Sequence, residues 1–334
     1  MSEHAAIEAI DLRRSFGAIK AVDGISFAIE PGQIVGFLGP NGAGKSTTMR
    51  ILCGLLEASS GVARVCGIPV ALEPERTKKL IGYMPERNPL PEDMRVREYL
   101  RYRARLKEIP RRDVKRAVDE AMQLCDLDRK ASKRIIGTLS KGYRQRVGIA
   151  DAVLGTPEVI VMDEPTIGLD PHQILGIRKL INNLRGRMTV MISSHILPEI
   201  EMCCDRSIII NHGQIVAYGS AEVLRKEFLP ESEYRLIIKA DPNAFKMFMH
   251  TQAPAASITF YEELDDGFCA YSLSVNEPPE WAESFLTSLN TTPFIVREFS
   301  SRTPSLEDIF LAATRRSWDQ EWVLPKVSGP SKQS

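Results

Sequence analysis

The sequence shows no excess of charge of either sign, since 43 Lys and Arg residues balance 43 Asp and Glu residues over 334 positions. A dedicated nucleic-acid binder carries a basic footprint, so no nucleic-acid partner is expected. No window reaches the roughly 18 consecutive apolar residues of a membrane-spanning helix. If the protein serves a membrane process, another chain supplies the spanning part. Residues 1–10 carry Glu3 and Glu8 and lack the basic start and apolar stretch of a signal peptide, which argues against export. The six cysteines (Cys53, Cys66, Cys125, Cys203, Cys204 and Cys269) have no CxxC spacing, the commonest signature of zinc and dithiol sites. Four of them sit in apolar stretches that suit a small buried hydrophobe, and a reduced, cytoplasmic protein fits best. The adjacent Cys203 and Cys204 read as packing at a helix end, with a redox or metal pair as the alternative. No internal repeat is found.

What is present is an ordinary globular composition, 43% hydrophobic and 26% charged, in a chain long enough for one large domain and a smaller one. Residues 18–30 read as a strand pair ending at the turn Pro31-Gly32, and 33–38 as a short buried strand. A glycine-rich segment follows, and then helical spacing over 47–56 through Met49, Ile51, Leu52 and Leu55. Residues 89–138 read as a helical subdomain, dense in charge between 95 and 116 and interrupted by Pro110. Buried strands are expected at 159–162 and 189–193, and a hairpin at 207–210 and 214–218 around His212-Gly213. Strands alternating with helices imply a largely parallel core sheet, with antiparallel strands at an edge.

After a helix over 221–228 the pattern changes. Strands at 234–240, 258–263, 268–275 and 294–299, with helices at 242–250 and 280–290, give the order βαββαβ of a ferredoxin-like unit. A last helix over 306–316 starts from Ser305, with Asp308 three residues on as a capping-box variant. The expected organisation is a domain over 1–230, a small α+β domain over 231–316, and a disordered tail over 317–334 rich in Pro, Gly and Ser.

The segment Gly39-Pro40-Asn41-Gly42-Ala43-Gly44-Lys45-Ser46 matches the phosphate-binding pattern G-x-x-x-x-G-K-[ST] and sits between a strand and a helix. Backbone N–H groups of such a loop converge on phosphate oxygens, aided by the positive end of the next helix. Lys45 is then expected to reach the β and γ phosphates of ATP and the Ser46 hydroxyl to coordinate Mg²⁺. The bland alternative is an ordinary glycine turn. Further on, an apolar strand ends in Asp163-Glu164. Asp163 is placed to hold Mg²⁺, and Glu164 to act as a general base or to orient the attacking water. Two acids at a strand end are alone a weak signal, often just a solvated turn.

Taken together, residues 5–220 resemble a nucleotide-binding subunit of the ATP-binding cassette (ABC) family. Its signature segment is matched by Leu139-Ser140-Lys141-Gly142-Tyr143, with Lys141 and Tyr143 departing from the usual Leu-Ser-Gly-Gly-Gln. The resemblance implies an α/β P-loop cassette with a mixed core sheet, antiparallel edge strands and a helical subdomain. It implies ATP held by residues 39–46 and Thr47, with Phe16 stacked on adenine, although a lone aromatic is otherwise ordinary core. It implies that Ser140 and Gly142 act on the ATP of a second copy in a head-to-tail dimer, that Asp170 in Gly168-Leu169-Asp170 lies in the loop crossing that interface, and that His195 contacts the γ-phosphate. Lys45, Glu164 and His195 are the expected catalytic set. Glu86, in Met84-Pro85-Glu86, stands where many members have glutamine and is expected on the Mg²⁺ side, a solvated carboxylate being the alternative.

Glu86, the Leu-Ser-Lys-Gly-Tyr-Arg-Gln signature and the ending Ser305-Leu306-Glu307-Asp308-Ile309-Phe310-Leu311 resemble the ABC-2 type subgroup. That likeness implies a drug-, polysaccharide-export or gliding-motility-type ATPase, peripheral on the inner face of the cell membrane and paired with a separate integral membrane permease. Two alternatives are a soluble family ATPase acting on ribosomes or DNA, whose tandem cassettes or coiled-coil insertions are not seen here, and a regulatory cassette with little turnover.

Overall fold

A computed structural model describes residues 5–127, 129–194, 196–229, 232–252, 254, 256–276, 280–302 and 304–319. The chain divides into two compact units, Met1–Ala221 with Ala313–Ser334, and Glu222–Ala312.

The first unit is built on a six-stranded sheet. Its strands are β3 (Ile34–Leu38), β6 (Ile81–Met84), β7 (Val159–Asp163), β8 (Thr189–Ser194), β9 (Arg206–Asn211) and β10 (Gln214–Gly219), in the order β10-β9-β3-β8-β7-β6. All neighbours are parallel except the edge pair β10–β9. Every residue of β3, β7 and β8 is buried, which explains why these strands read as continuous apolar runs rather than alternating ones. Helices α1 (Lys45–Leu52), α6 (Lys141–Val153), α7 (Pro171–Leu184) and α8 (Leu197–Cys203) connect the parallel strands.

A second sheet, antiparallel throughout, has the order β2-β1-β4-β5, with β1 at Ile7–Phe16, β2 at Ile19–Ile29, β4 at Ser60–Val65 and β5 at Ile68–Pro69. The strand pair expected within 18–30 is a single strand, β2. Its partner β1 lies upstream, and the chain reverses at Gly17, where φ is 60°. Gly24, at φ 77°, marks an irregularity in this pair rather than a turn. The short α2 (Pro74–Leu80) leads into β6.

The helical region holds α3 (Val96–Leu106), α4 (Val114–Leu124), α5 (Arg129–Lys133) and a 3-10 turn at Ile136–Thr138. It is tied to the far end of α6 by one buried carboxylate. Asp151 accepts from Tyr99 Oη at 3.0 Å and from Arg103 Nε at 2.9 Å, while Lys107 Nζ donates to the Asp151 carbonyl at 2.5 Å and to those of Ala152 and Leu154. The spacing i, i+4, i+8 puts all three donors on one face of the α3 segment, and Lys107 satisfies carbonyls that the end of α6 leaves open.

The second unit begins at Glu222, inside α9 (Ala221–Phe228), where a boundary after residue 230 was expected. The reason is local: Arg225 Nε donates to Pro304 O at 2.7 Å, and Leu224 and Phe228 are buried. Strands β11 (Ser232–Lys239), β12 (Ser257–Glu263), β13 (Cys269–Val275) and β14 (Ile295–Arg302) form an antiparallel sheet in the order β12-β13-β11-β14. Helices α10 (Pro242–Gln252) and α11 (Glu280–Asn290) contribute Phe245, Met249, Phe285 and Leu289 to its aromatic-rich core. At α12 (Leu306–Asp319) Ser305 N donates to Asp308 Oδ2 at 2.9 Å and Asp308 N to Ser305 Oγ at 3.3 Å, the expected capping box. Residues 317–319, expected in the tail, belong to this helix, and 320–334 lie outside the described residues.

Candidate nucleotide site

The loop that follows β3 occupies residues 39–44 and delivers Lys45 as the first residue of α1. Gly44 precedes the helix at φ 107°, a conformation that only glycine adopts without cost. A Cβ on Gly44 would come within 2.3 Å of Ala21 O, and one on Gly39 within 2.3 Å of Ile210 O. The inner side of the loop is therefore pressed against β2 and β9. Gly42, at φ 81°, has nothing within 4 Å of the Cβ position, so the outer side opens to solvent. The turn between β9 and β10 braces the loop, with Gly213 N donating to Ala43 O at 3.0 Å. Asn41 is exposed, and Ser46 and Thr47 are half-buried at the helix start.

Lys45 is 7% exposed, and its Nζ donates to Gly39 O at 2.7 Å and to Pro40 O at 3.2 Å. Burial lowers its pKa, and the charges of Glu164, Asp163 and Glu86 oppose that effect in this order. One lysine thus feels all three carboxylates that the sequence pointed to.

Asp163 ends β7 beside Ser193 of β8, its partner in the parallel register. The Ser193 hydroxyl donates to Asp163 Oδ1 at 2.5 Å and accepts from Glu164 N at 2.9 Å. Among the described residues Asp163 Oδ2 has no hydrogen-bond donor and stays open to a hard cation. Glu164 takes a left-handed φ of 50°, uncommon for a non-glycine residue and a mark of functional loops. The neighbouring Tyr83 on β6 is pushed up to about 12, by burial first and by the Asp163 charge second. Among the described residues no cluster of three His, Cys, Asp or Glu groups makes a metal cage. A Mg²⁺ bound by one or two carboxylates, a hydroxyl and nucleotide phosphates fits this donor set.

The signature segment starts α6. Ser140 is its N-cap, exposed, and accepts from Tyr143 N at a long 3.5 Å. Gly142 is buried so closely beneath Gln173 that a Cβ would lie 2.8 Å from that side chain. No hydrogen bond or ion pair among the described residues joins Ser140 or Gly142 to residues 39–46. Asp170 caps α7, accepting from Gln173 N at 2.9 Å. Phe16 is 47% exposed at the end of β1, with the Arg14 guanidinium 4.7 Å from its ring centre. Glu86 is exposed after β6. His195 lies outside the described residues.

The roles of two residues of the site escaped sequence reasoning, although Gln145 was read as part of the signature. Ser193 was read only as the end of a strand, though a polar residue closing an apolar run beside an acid-ended strand is a usable signal. Gln145 is buried in α6 and donates from Nε2 to Pro165 O at 2.7 Å, holding the segment just beyond Glu164.

Residues 22–167 match the family described as ABC transporter. The chain is 36% identical over 225 residues to Nod factor export ATP-binding protein I of a Rhizobium species, covering 67% of this chain and 74% of that protein. It is 30% identical over 313 residues to linearmycin resistance ATP-binding protein LnrL of Bacillus subtilis, covering 93% and 99%. The chain belongs to the ABC transporter ATP-binding family. Among solved structures, cbiO1 from Clostridium perfringens, described as part of the ABC transporter complex cbiONQ, aligns with a TM-score of 0.61 at 26% identity over 68% of this chain and 97% of that one. The expected P-loop cassette is therefore the fold of this ABC protein, an ATP-hydrolysing cassette. No helix among the described residues is long and apolar enough to cross a membrane, so this ABC subunit has none there.

Proposed function

We propose that this ABC subunit hydrolyses ATP to power an exporter of the ABC-2 type whose membrane-spanning permease is a separate chain. The observation that carries the reading is the Asp163-Glu164 pair tied to one Ser193 hydroxyl, its charges acting on Lys45 of the glycine loop, on a chain similar over nearly its whole length to a resistance ATP-binding protein. Two copies work head to tail as a homodimer on the inner face of the membrane. The similarity to export and resistance proteins favours this over a soluble ATPase acting on ribosomes or DNA.

In this reading Lys45 leaves its loop carbonyls for the β and γ phosphates, and backbone N–H groups of 39–47 hold the phosphate oxygens. When bound, Mg²⁺ would supply positive charge that offsets the charge of the phosphates. Ser46, Asp163 and Glu86 are the residues that would hold it. Glu164 takes the proton of the attacking water or orients it, while Ser193 fixes both Asp163 and the Glu164 backbone. Phe16 stacks on adenine, His195 reaches the γ-phosphate, and Ser140 and Gly142 of the second copy complete the site across the interface that Asp170 approaches. Closure is driven by tighter binding of ATP to the closed pair. We read the unit 222–312 as ferredoxin-like, supported by its sheet order, and as an accessory domain.

The test is steady-state ATPase of the purified chain, alone and with its permease, beside Glu164→Gln. Mg²⁺-dependent turnover in the parent and its loss in the variant are expected. Absence of turnover in the parent under both conditions would sink the enzyme reading.

A further inference from the structure

Behind the catalytic edge, Pro165, Thr166, Ile174, Arg178, Ser194 and Glu199 are among the residues lining a cavity of about 20 Å³. Glu199 on α8 is 7% exposed, and its Oε2 accepts from the Thr166 hydroxyl. Its other oxygen, Oε1, is buried with no protein partner among the described residues, and so is Arg178 Nε on α7. A buried acceptor and a buried donor left open beside a small cavity are costly unless something joins them. Room for one water takes about 10–15 Å³ of probe-occupied volume, so the cavity is large enough for one.

We propose that Glu199 is a positioning residue for hydrolysis, acting through a bound water that accepts from Arg178 Nε and donates to Glu199 Oε1. The placement gives the link its purpose. Thr166 lies two residues beyond Glu164, and Glu199 stands on the helix that follows β8, four residues after His195. Gln145 of the signature helix already holds Pro165 O from one side. Glu199, with Thr166, Arg178 and the water, holds the same segment from the other. The stretch after Glu164 is thereby fixed to both α6 and α8, and the left-handed Glu164 backbone has a rigid continuation on which its carboxylate can be aimed.

The link rests on the ATPase reading only for its effect on turnover, and its parts can be measured apart. In the full chain, Thr166→Val removes the hydroxyl at constant volume and Glu199→Gln removes the charge. Each should lower kcat about tenfold, the scale of a small misplacement of a reacting group, while the ATP affinity stays within about twofold. Thr166→Ser should restore kcat. The double variant should be no worse than the poorer single one, as for residues in one network. Variants with parental kcat and only a lower Tm would make the link merely structural and overturn the proposal, as would additive losses. A high-resolution crystal structure of the parent reads the water without any turnover: density within hydrogen-bonding reach of both atoms is expected, and a dry cavity overturns the proposal. Should Glu199→Gln fail to fold, the Thr166 pair still decides the question.

Discussion

Ser193 and Asp163 share a 2.5 Å hydrogen bond across the parallel register of β8 and β7, and the same hydroxyl takes the Glu164 backbone N–H at 2.9 Å. One fully buried oxygen therefore sets the rotamer of the Asp163 carboxylate and holds the start of the segment that Glu164 opens. Ser193→Ala leaves Glu164 N without its partner, a loss of about 1–3 kcal/mol for a buried donor. It should also lower kcat by roughly ten- to a hundredfold through misplacement. Denaturant unfolding and steady-state ATPase read the two effects separately, and a stable variant with parental kcat would remove Ser193 from the site.

The glycines of the phosphate loop are unequal. Gly44→Ala drives a Cβ to 2.3 Å from the Ala21 carbonyl, so either β2 or the start of α1 must move. Loss of ATP binding by more than about tenfold is expected, with a lower Tm, because backbone cannot yield as a side chain can. Gly42→Ala meets open space and bears only the left-handed backbone strain of about 1–2 kcal/mol. Equal effects of the two substitutions on ATP affinity, measured by titration calorimetry, would contradict this ordering.

Lys107 offers a pH test of the bond between the helical region and α6. Burial first pushes its amine from 10.5 down to about 8, with the Asp151 charge opposing and the Arg103 charge assisting. Between about pH 8 and 10.5 the unfolded chain then binds more protons at this position than the folded one, so its contribution to stability rises with pH across that window. Below about pH 8 the contribution is flat. The difference in unfolding free energy between the parent and Lys107→Met should move in the parent's favour from pH 8 to 10. A difference that is constant with pH would show that the Lys107 amine is not desolvated against the end of α6.

Glu86 is exposed, yet its charge is felt at Lys45. Glu86→Gln keeps an oxygen for the metal side and removes the charge. Activity should persist with a shifted Mg²⁺ requirement, by a fewfold in the concentration giving half-maximal rate. An unchanged Mg²⁺ titration would assign Glu86 to solvent.

Local motifs were more legible in the sequence than the antiparallel sheet. The phosphate loop and Asp163-Glu164 are contiguous motifs whose meaning depends on local geometry, and the strands that carry them are buried on both faces, hence unmistakably apolar. The antiparallel sheet was misread because β1 alternates irregularly: its pairing with β2 and β4 is broken by several register shifts, which destroys the period of two that marks a half-buried strand. β6 is only four residues long and gives no pattern. Ser193, Gln145 and Glu199 each act through a residue distant in sequence, so nothing near them announces the role. The second unit was read almost element by element because its strands and helices alternate cleanly and its cap at Ser305 is local.

The composite nature of the site can be tested on the variant that traps ATP. Ser140 is an exposed N-cap whose hydroxyl makes only a long 3.5 Å contact within its own helix, and nothing among the described residues links it to the loop of the same chain. A hydroxyl and bare backbone at a helix start favour an anion, and in the proposed dimer the anion is the γ-phosphate on the partner copy. In the proposed site Glu164→Gln should slow hydrolysis while leaving Lys45, Ser46 and the loop intact, so ATP should persist and hold two copies together. On a sizing column this variant should run as a monomer without nucleotide and as a dimer with Mg-ATP. Adding Ser140→Arg, which fills the contact with a bulky side chain, should abolish the dimer while each copy still binds ATP with an affinity within about tenfold, since the loop in cis supplies most of the phosphate contacts. Dimer formation unaffected by Ser140→Arg would place the second copy elsewhere and reduce the site to one chain.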